Sequence, residues 1–85
     1  MSNNFDSQRF YMIVGRNIEN VRKSKNYTLQ SLADELGVTK KTVHRYENAE
    51  IKISIDRLIQ IAQVLNTTVE QLSQGILIYN ESKAI

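Results

Sequence analysis

Apolar residues recur along this chain with a helical period. Val14, Ile18 and Val21 fall at i, i+4 and i+7, which predicts a first amphipathic helix from about Phe10 to Lys25. Arg16, Glu19, Arg22 and Lys23 lie largely on its other sides, and it ends near Asn26. Leu29, Leu32, Ala33 and Leu36 repeat the pattern at i, i+3, i+4 and i+7 behind Thr28, a residue suited to capping a helix start, and Gly37 closes this second helix. Thr39 offers another cap at once, and Val43 with Tyr46 gives an inward face to a third short helix that runs to about Asn48.

The alternation of Ile51, Ile53 and Ile55 has the period of a strand. Because Ser54 reads as a helix cap, we assign an extended loop instead. A fourth helix follows, with Ile55, Leu58, Ile59, Ala62 and Leu65 as its stripe and Ile61 and Val64 widening it. It is expected to be the most buried, and Asn66 ends it. Thr68 and Gln71 have capping-box spacing, so a last helix starts at Val69 and stops at Gly75. The apolar run Ile76, Leu77, Ile78 and Tyr79 either packs on the core or faces another subunit.

Composition supports the helical reading: proline is absent, and glycine occurs only at positions 15, 37 and 75. The expectation is an all-α five-helix bundle. Residues 1–9 form a flexible N-terminal segment, 10–75 the domain and 76–85 a tail with a dimer contact at Ile76–Tyr79. At 85 residues the chain suits one domain. With no cysteine and one histidine, a disulfide, a zinc finger and a metal site are not expected, nor is any cofactor. No apolar run approaches the ~18 to 20 residues of a membrane span. We therefore expect a cytoplasmic protein without a membrane partner. The net charge of +2 is small but unevenly placed: Arg9 to Arg57 holds ten Lys or Arg against six Asp or Glu, and Leu58 to Ile85 one against two. A basic first part suits a polyanion, as it also suits ordinary solvated helix faces.

Thr28 to Asn48 is the informative stretch. A helix, a turn of a few residues containing glycine and a second helix form the motif that lays its second helix in the DNA major groove. Small Ala33 permits close approach, Gly37 reverses the chain, Val38 plugs the space under the turn, and Leu36 with Val43 fixes the angle between the helices. Outside the core the third helix leaves Lys40, Lys41, Thr42, His44 and Arg45. Lys and Arg donors match guanine O6 and N7, and His44 reaches either a base or a phosphate. Asp34 and Glu35 are neighbours that point apart and cannot flank one substrate bond. The lone histidine has no carboxylate placed to orient it, so an enzyme is not expected. Tyr11, Tyr27 and Tyr46 read as core or core-edge aromatics rather than a stacking platform.

From Ile13 to Leu72 the chain resembles the helix-turn-helix domain of Cro and the phage repressors, the XRE family. Arg22 in the first helix, "TLQSLADELGVTKKTVHRYEN", "LIQIAQVL" and the capped "TTVEQL" carry the resemblance. It implies Lys40, Lys41 and Arg45 as base readers, with His44 nearer the flank. It implies phosphate contacts at Thr39, Thr42, Asn48 and Lys52, and at the amides that open the second helix, Thr28 and Leu29. Arg22 and Glu47 match a family pair joined by a buried or half-buried ion pair, so Glu47 is read as structural. Three positions depart from the family pattern: Leu29 replaces a bridging glutamine, Ala49 a glycine and Ile53 a proline. One recognition helix touches few base pairs, so a homodimer on a near-palindromic operator in double-stranded DNA is expected, acting as a repressor and with no small-molecule ligand. Its contact would use the last helix and the Ile76–Tyr79 run. An antitoxin that binds a toxin and regulates its own operon is the second reading. Only a short stretch follows the last helix, which favours the regulator.

Overall fold

The computed structural model, described here over residues 6–75, contains five helices in chain order: α1 Ser7–Ser24, α2 Leu29–Leu36, α3 Lys40–Glu47, α4 Ile55–Val64 and α5 Val69–Leu72. No strand occurs among the described residues. The all-helical bundle follows from the apolar periodicity, and each helix opens on a side-chain cap. Asp6, Thr28, Thr39, Ser54 and Thr68 accept the amides of Arg9, Ser31, Thr42, Arg57 and Gln71. The Asp6 cap starts α1 at Ser7, earlier than the Phe10 that the apolar pattern alone marks.

The first four helices end by one device. Asn26, Gly37, Ala49 and Asn66 turn into the left-handed region, with φ of 65°, 73°, 59° and 54°. The next amide then reaches back to a carbonyl inside the helix: Tyr27 to Arg22, Val38 to Ala33, Glu50 to Arg45 and Thr67 to Ala62, at 2.8–3.0 Å. These bonds satisfy carbonyls that a helix end would otherwise leave without partners. Two capping details differ from the sequence reading. The reciprocal capping box forms at Thr28 and Ser31, whereas the Gln71 side chain accepts from the Thr67 hydroxyl instead of returning to the Thr68 backbone. Regular helix in α5 stops at Leu72, short of Gly75.

α1 packs on α3 and α5, α2 on α3 and α4, and α4 on α5. The core they enclose holds Val14, Ile18, Leu32, Ala33, Leu36, Val43, Tyr46, Ile53, Leu58, Ile61, Ala62, Leu65 and Leu72. The buried stripe of α4 is therefore Leu58, Ile61, Ala62 and Leu65. Ile55 and Ile59, which the sequence placed in that stripe, are 63% and 43% exposed. The apolar side chains of α4 cover too wide an arc for one helix face to bury, and burial of Ile61 turns Ile55 and Ile59 outward. Arg22 is buried as well, i+4 from Ile18 on the inner row of α1: the apolar period sets it largely on the other sides, while the resemblance implies a buried or half-buried pair.

Long side chains tie the helix ends together. Arg57 donates from Nη1 to the Leu36 carbonyl at 3.1 Å, closing α2 onto α4. The Asn17 amide donates to the carbonyls of Leu72 and Gln74, both at 2.9 Å, which anchors the end of α5 on α1. On the surface of α1, a hydrogen bond from Lys23 at 3.0 Å draws the Glu19 carboxyl below its ordinary pKa. The Ile76–Tyr79 run, expected as a dimer contact, lies outside the described residues.

Candidate nucleic-acid interface

α2 and α3 are each eight residues long and are separated by Gly37, Val38 and Thr39. The Thr39 side chain caps α3 while the Val38 amide is still tied to Ala33, so the second helix starts before the first has been left behind. Leu32, Ala33 and Leu36 face Val43 and Tyr46 across a buried seam. That seam fixes the angle between the two helices, and the opposite side of α3 is left to solvent.

Lys40, Lys41 and His44 are exposed there, and Thr42 and Arg45 are half-buried. Lys41 and Arg45 stand one turn apart, as do Lys40 and His44, so four donor-bearing side chains share one outward face. Arg45 Nε lies 3.9 Å from a carboxylate oxygen of Glu50, just beyond the helix. At that distance, with both side chains about half exposed, the pair is weak and holds the guanidinium only loosely. Among the described residues Glu50 is the one carboxylate in an ion pair with this face, and sequence spacing did not single it out.

Around that face the polar residues are already partly committed. Thr39 and Thr42 share a hydroxyl hydrogen bond of 3.0 Å, and Asn48 donates its side-chain amide to the His44 carbonyl at 2.9 Å. The Thr28 amide donates to Ser31 Oγ at 2.8 Å. Hence the amides that open α2 without an intrahelical acceptor are those of Leu29 and Gln30. Leu29 itself packs partly against the core, and Lys52 is exposed in the segment leading to α4.

Behind the face, Arg22 and Glu47 form a bidentate pair: Nε to Oε2 at 2.6 Å and Nη2 to Oε1 at 3.1 Å. The remaining guanidinium nitrogen, Nη1, donates to the Tyr27 carbonyl at 2.8 Å. Both side chains are almost wholly buried, so α1, the α1–α2 link and the end of α3 meet at one charged clamp. Gly15 lies at the same junction. A Cβ at that position would stand 2.6 Å from the carbonyl oxygens of Tyr46 and Glu47, so α1 approaches the last turn of α3 at backbone contact. The sequence offered no sign of this beyond a glycine inside a helical run.

A rigid pair of short helices that presents the outer face of the second defines a helix-turn-helix protein. The chain belongs to the helix-turn-helix family, which matches residues 18–72. An uncharacterised HTH-type transcriptional regulator of Rickettsia conorii is 30% identical over 69 residues, covering 81% of this chain and 55% of that protein. The transcriptional repressor RstR of a cryptic phage in Vibrio cholerae is 30% identical over 61 residues, 72% of this chain and 54% of its own. This chain thus spans about half the length of such relatives. Among solved structures, SinR, the master regulator for biofilm formation, in complex with DNA has a TM-score of 0.63 and 35% identity, covering 69% of this chain and 95% of that one.

Proposed function

We propose that this protein is a transcription regulator that binds double-stranded DNA with α3 in the major groove. The observation that carries this reading is the outward face of α3: Lys40, Lys41, His44 and Arg45 on a helix whose other side is locked into the core. In this reading Lys40, Lys41 and Arg45 reach base edges, where a forked or multiple donor suits guanine O6 and N7, with His44 toward the flank. Thr39, Thr42, Asn48, Lys52 and the free amides at Leu29 and Gln30 set the register on the phosphates. Thr28 contributes by capping α2 rather than by its amide. The 35% identity to SinR, solved on DNA, supports DNA binding, and the naming of RstR as a repressor supports a repressor over an activator. One eight-residue helix spans too few base pairs to select a site in a genome, so the protein acts as a homodimer on a near-palindromic operator.

Selection of bound sequences from random DNA by the full chain tests this, and enrichment of an inverted repeat is the expected result. On the selected site, Arg45→Ala should cost about 1 to 3 kcal/mol and relax preference at particular positions. Lys52→Ala should weaken all sequences alike and lower the salt slope by about one unit. Equal losses on selected and random DNA for Arg45→Ala would remove it from the base readers.

A further inference from the structure

The way α3 ends returns one side chain to its outward face. Ala49 takes the left-handed turn, with φ of 59°. Its amide donates to the Tyr46 carbonyl at 3.2 Å, and the Glu50 amide donates to the Arg45 carbonyl at 2.9 Å. A helix end of this kind brings the residue after the turn beside the one five positions earlier, and the two places commonly hold an apolar contact. At the end of α2 they hold Ala33 and Val38, one in the core and the other packed against it. At the end of α3 they hold Arg45 and Glu50, with the guanidinium Nε 3.9 Å from the carboxylate. The backbone of the turn therefore sets this pairing, beyond the reach of two long side chains.

We infer that Glu50 is a specificity-determining residue that acts through Arg45, restraining it on DNA of the wrong sequence and positioning it on the right one. The inference rests on the reading of α3 as the recognition helix and deepens it. A separation of 3.9 Å is an electrostatic attraction and not a hydrogen bond, so the guanidinium fork stays open to a ligand. Where a guanine stands opposite, two donors of the fork engage O6 and N7, and the carboxylate on the Nε side steadies the plane of the group. Where none does, Arg45 keeps its partner. The paired charges then offer less attraction to phosphates than a free guanidinium would, and Glu50 adds repulsion of its own. Both effects favour the operator over other DNA.

Exposure limits the size of the effect and makes it reversible. With side chains 43% and 56% exposed, the pair is weak enough for a bidentate contact with guanine to compete with it. Glu50 is thus a positioning residue whose contribution lies in the ratio of two affinities, since discrimination needs a term against the wrong site as well as one for the right site.

The test is Glu50→Gln in the full chain, which removes the charge and keeps nearly the same shape. Binding is measured by titration over a range of salt concentrations, on the selected operator and on a duplex of random sequence. The variant should hold the random duplex more tightly, with a salt slope steeper by about one unit. Its ratio of operator to random affinity should fall by about threefold or more. In an Arg45→Ala background the same substitution should leave that ratio unmoved, because nothing remains for Glu50 to position. Unchanged helicity and denaturant midpoint establish that the variants are folded. Equal gains on both DNAs would make Glu50 an ordinary surface charge and overturn the inference, as would the same fall in ratio without Arg45. A wild-type chain that selects no sequence would remove the operator reading and this inference with it, whereas a selective wild type with an unaltered ratio in Glu50→Gln would remove the inference alone.

Discussion

At position 15 the absence of a side chain decides how near α1 comes to the last turn of α3. A methyl group there would lie 2.6 Å from two backbone carbonyl oxygens, and neither can step aside without moving α3. Gly15→Ala therefore forces the helices apart, although alanine is the better helix former by about 1 kcal/mol in an open position. We expect a net loss of about 1 to 3 kcal/mol in urea unfolding, since overpacking outweighs the propensity gain. A stabilised variant would mean that α1 and α3 tolerate a wider separation. Glycine inside a helical run is ambiguous in sequence because the group it makes room for is remote in the chain. Ala49 illustrates the converse. Its φ of 59° is the conformation that glycine takes readily, and here the backbone adopts it with a Cβ present. The family pattern drew attention to that position, but composition alone would have passed over it.

At the scale of the element, the orientation of α3 is held by Arg22 and Glu47. Their pair is bidentate and buried, with Tyr27 accepting the third guanidinium hydrogen bond. Such a pair adds little net stability over apolar residues of the same shape, because desolvation offsets the attraction, yet removing one partner strands the other charge. Glu47→Gln should thus cost about 3 to 5 kcal/mol, a large part of the ~5 to 15 kcal/mol that holds a domain together, read from the shift of a denaturant midpoint. Replacing both residues by methionine and leucine should recover most of the loss. If Glu47→Gln costs less than ~1 kcal/mol, the side chain is solvated and α3 is oriented by apolar packing alone. Helix existence and caps were legible because they depend on residues three or four apart. The arc each helix buries was not, since it depends on neighbours distant in sequence: the period assigned Ile55 and Ile59 to the core, and packing turned both outward, while the burial of Arg22 was implied by the family pair with Glu47 and not by the period.

For the whole molecule, the proposed homodimer makes the spacing of half-sites a matter of protein geometry. The fold was readable from one chain because the periods that build it join residues close in sequence; a contact between two copies leaves no such period. A fixed contact between copies sets both the distance and the rotation between two recognition helices. Inserting about five base pairs between half-sites turns the second one to the opposite face of the duplex, half of the 10 to 10.5 base-pair helical turn. On that altered operator the protein should bind with the summed affinity of two independent half-sites, whereas the unaltered operator should be bound more tightly than that sum. Equal affinity for the two operators in a titration would show that the copies bind without touching and would leave the homodimer reading without support.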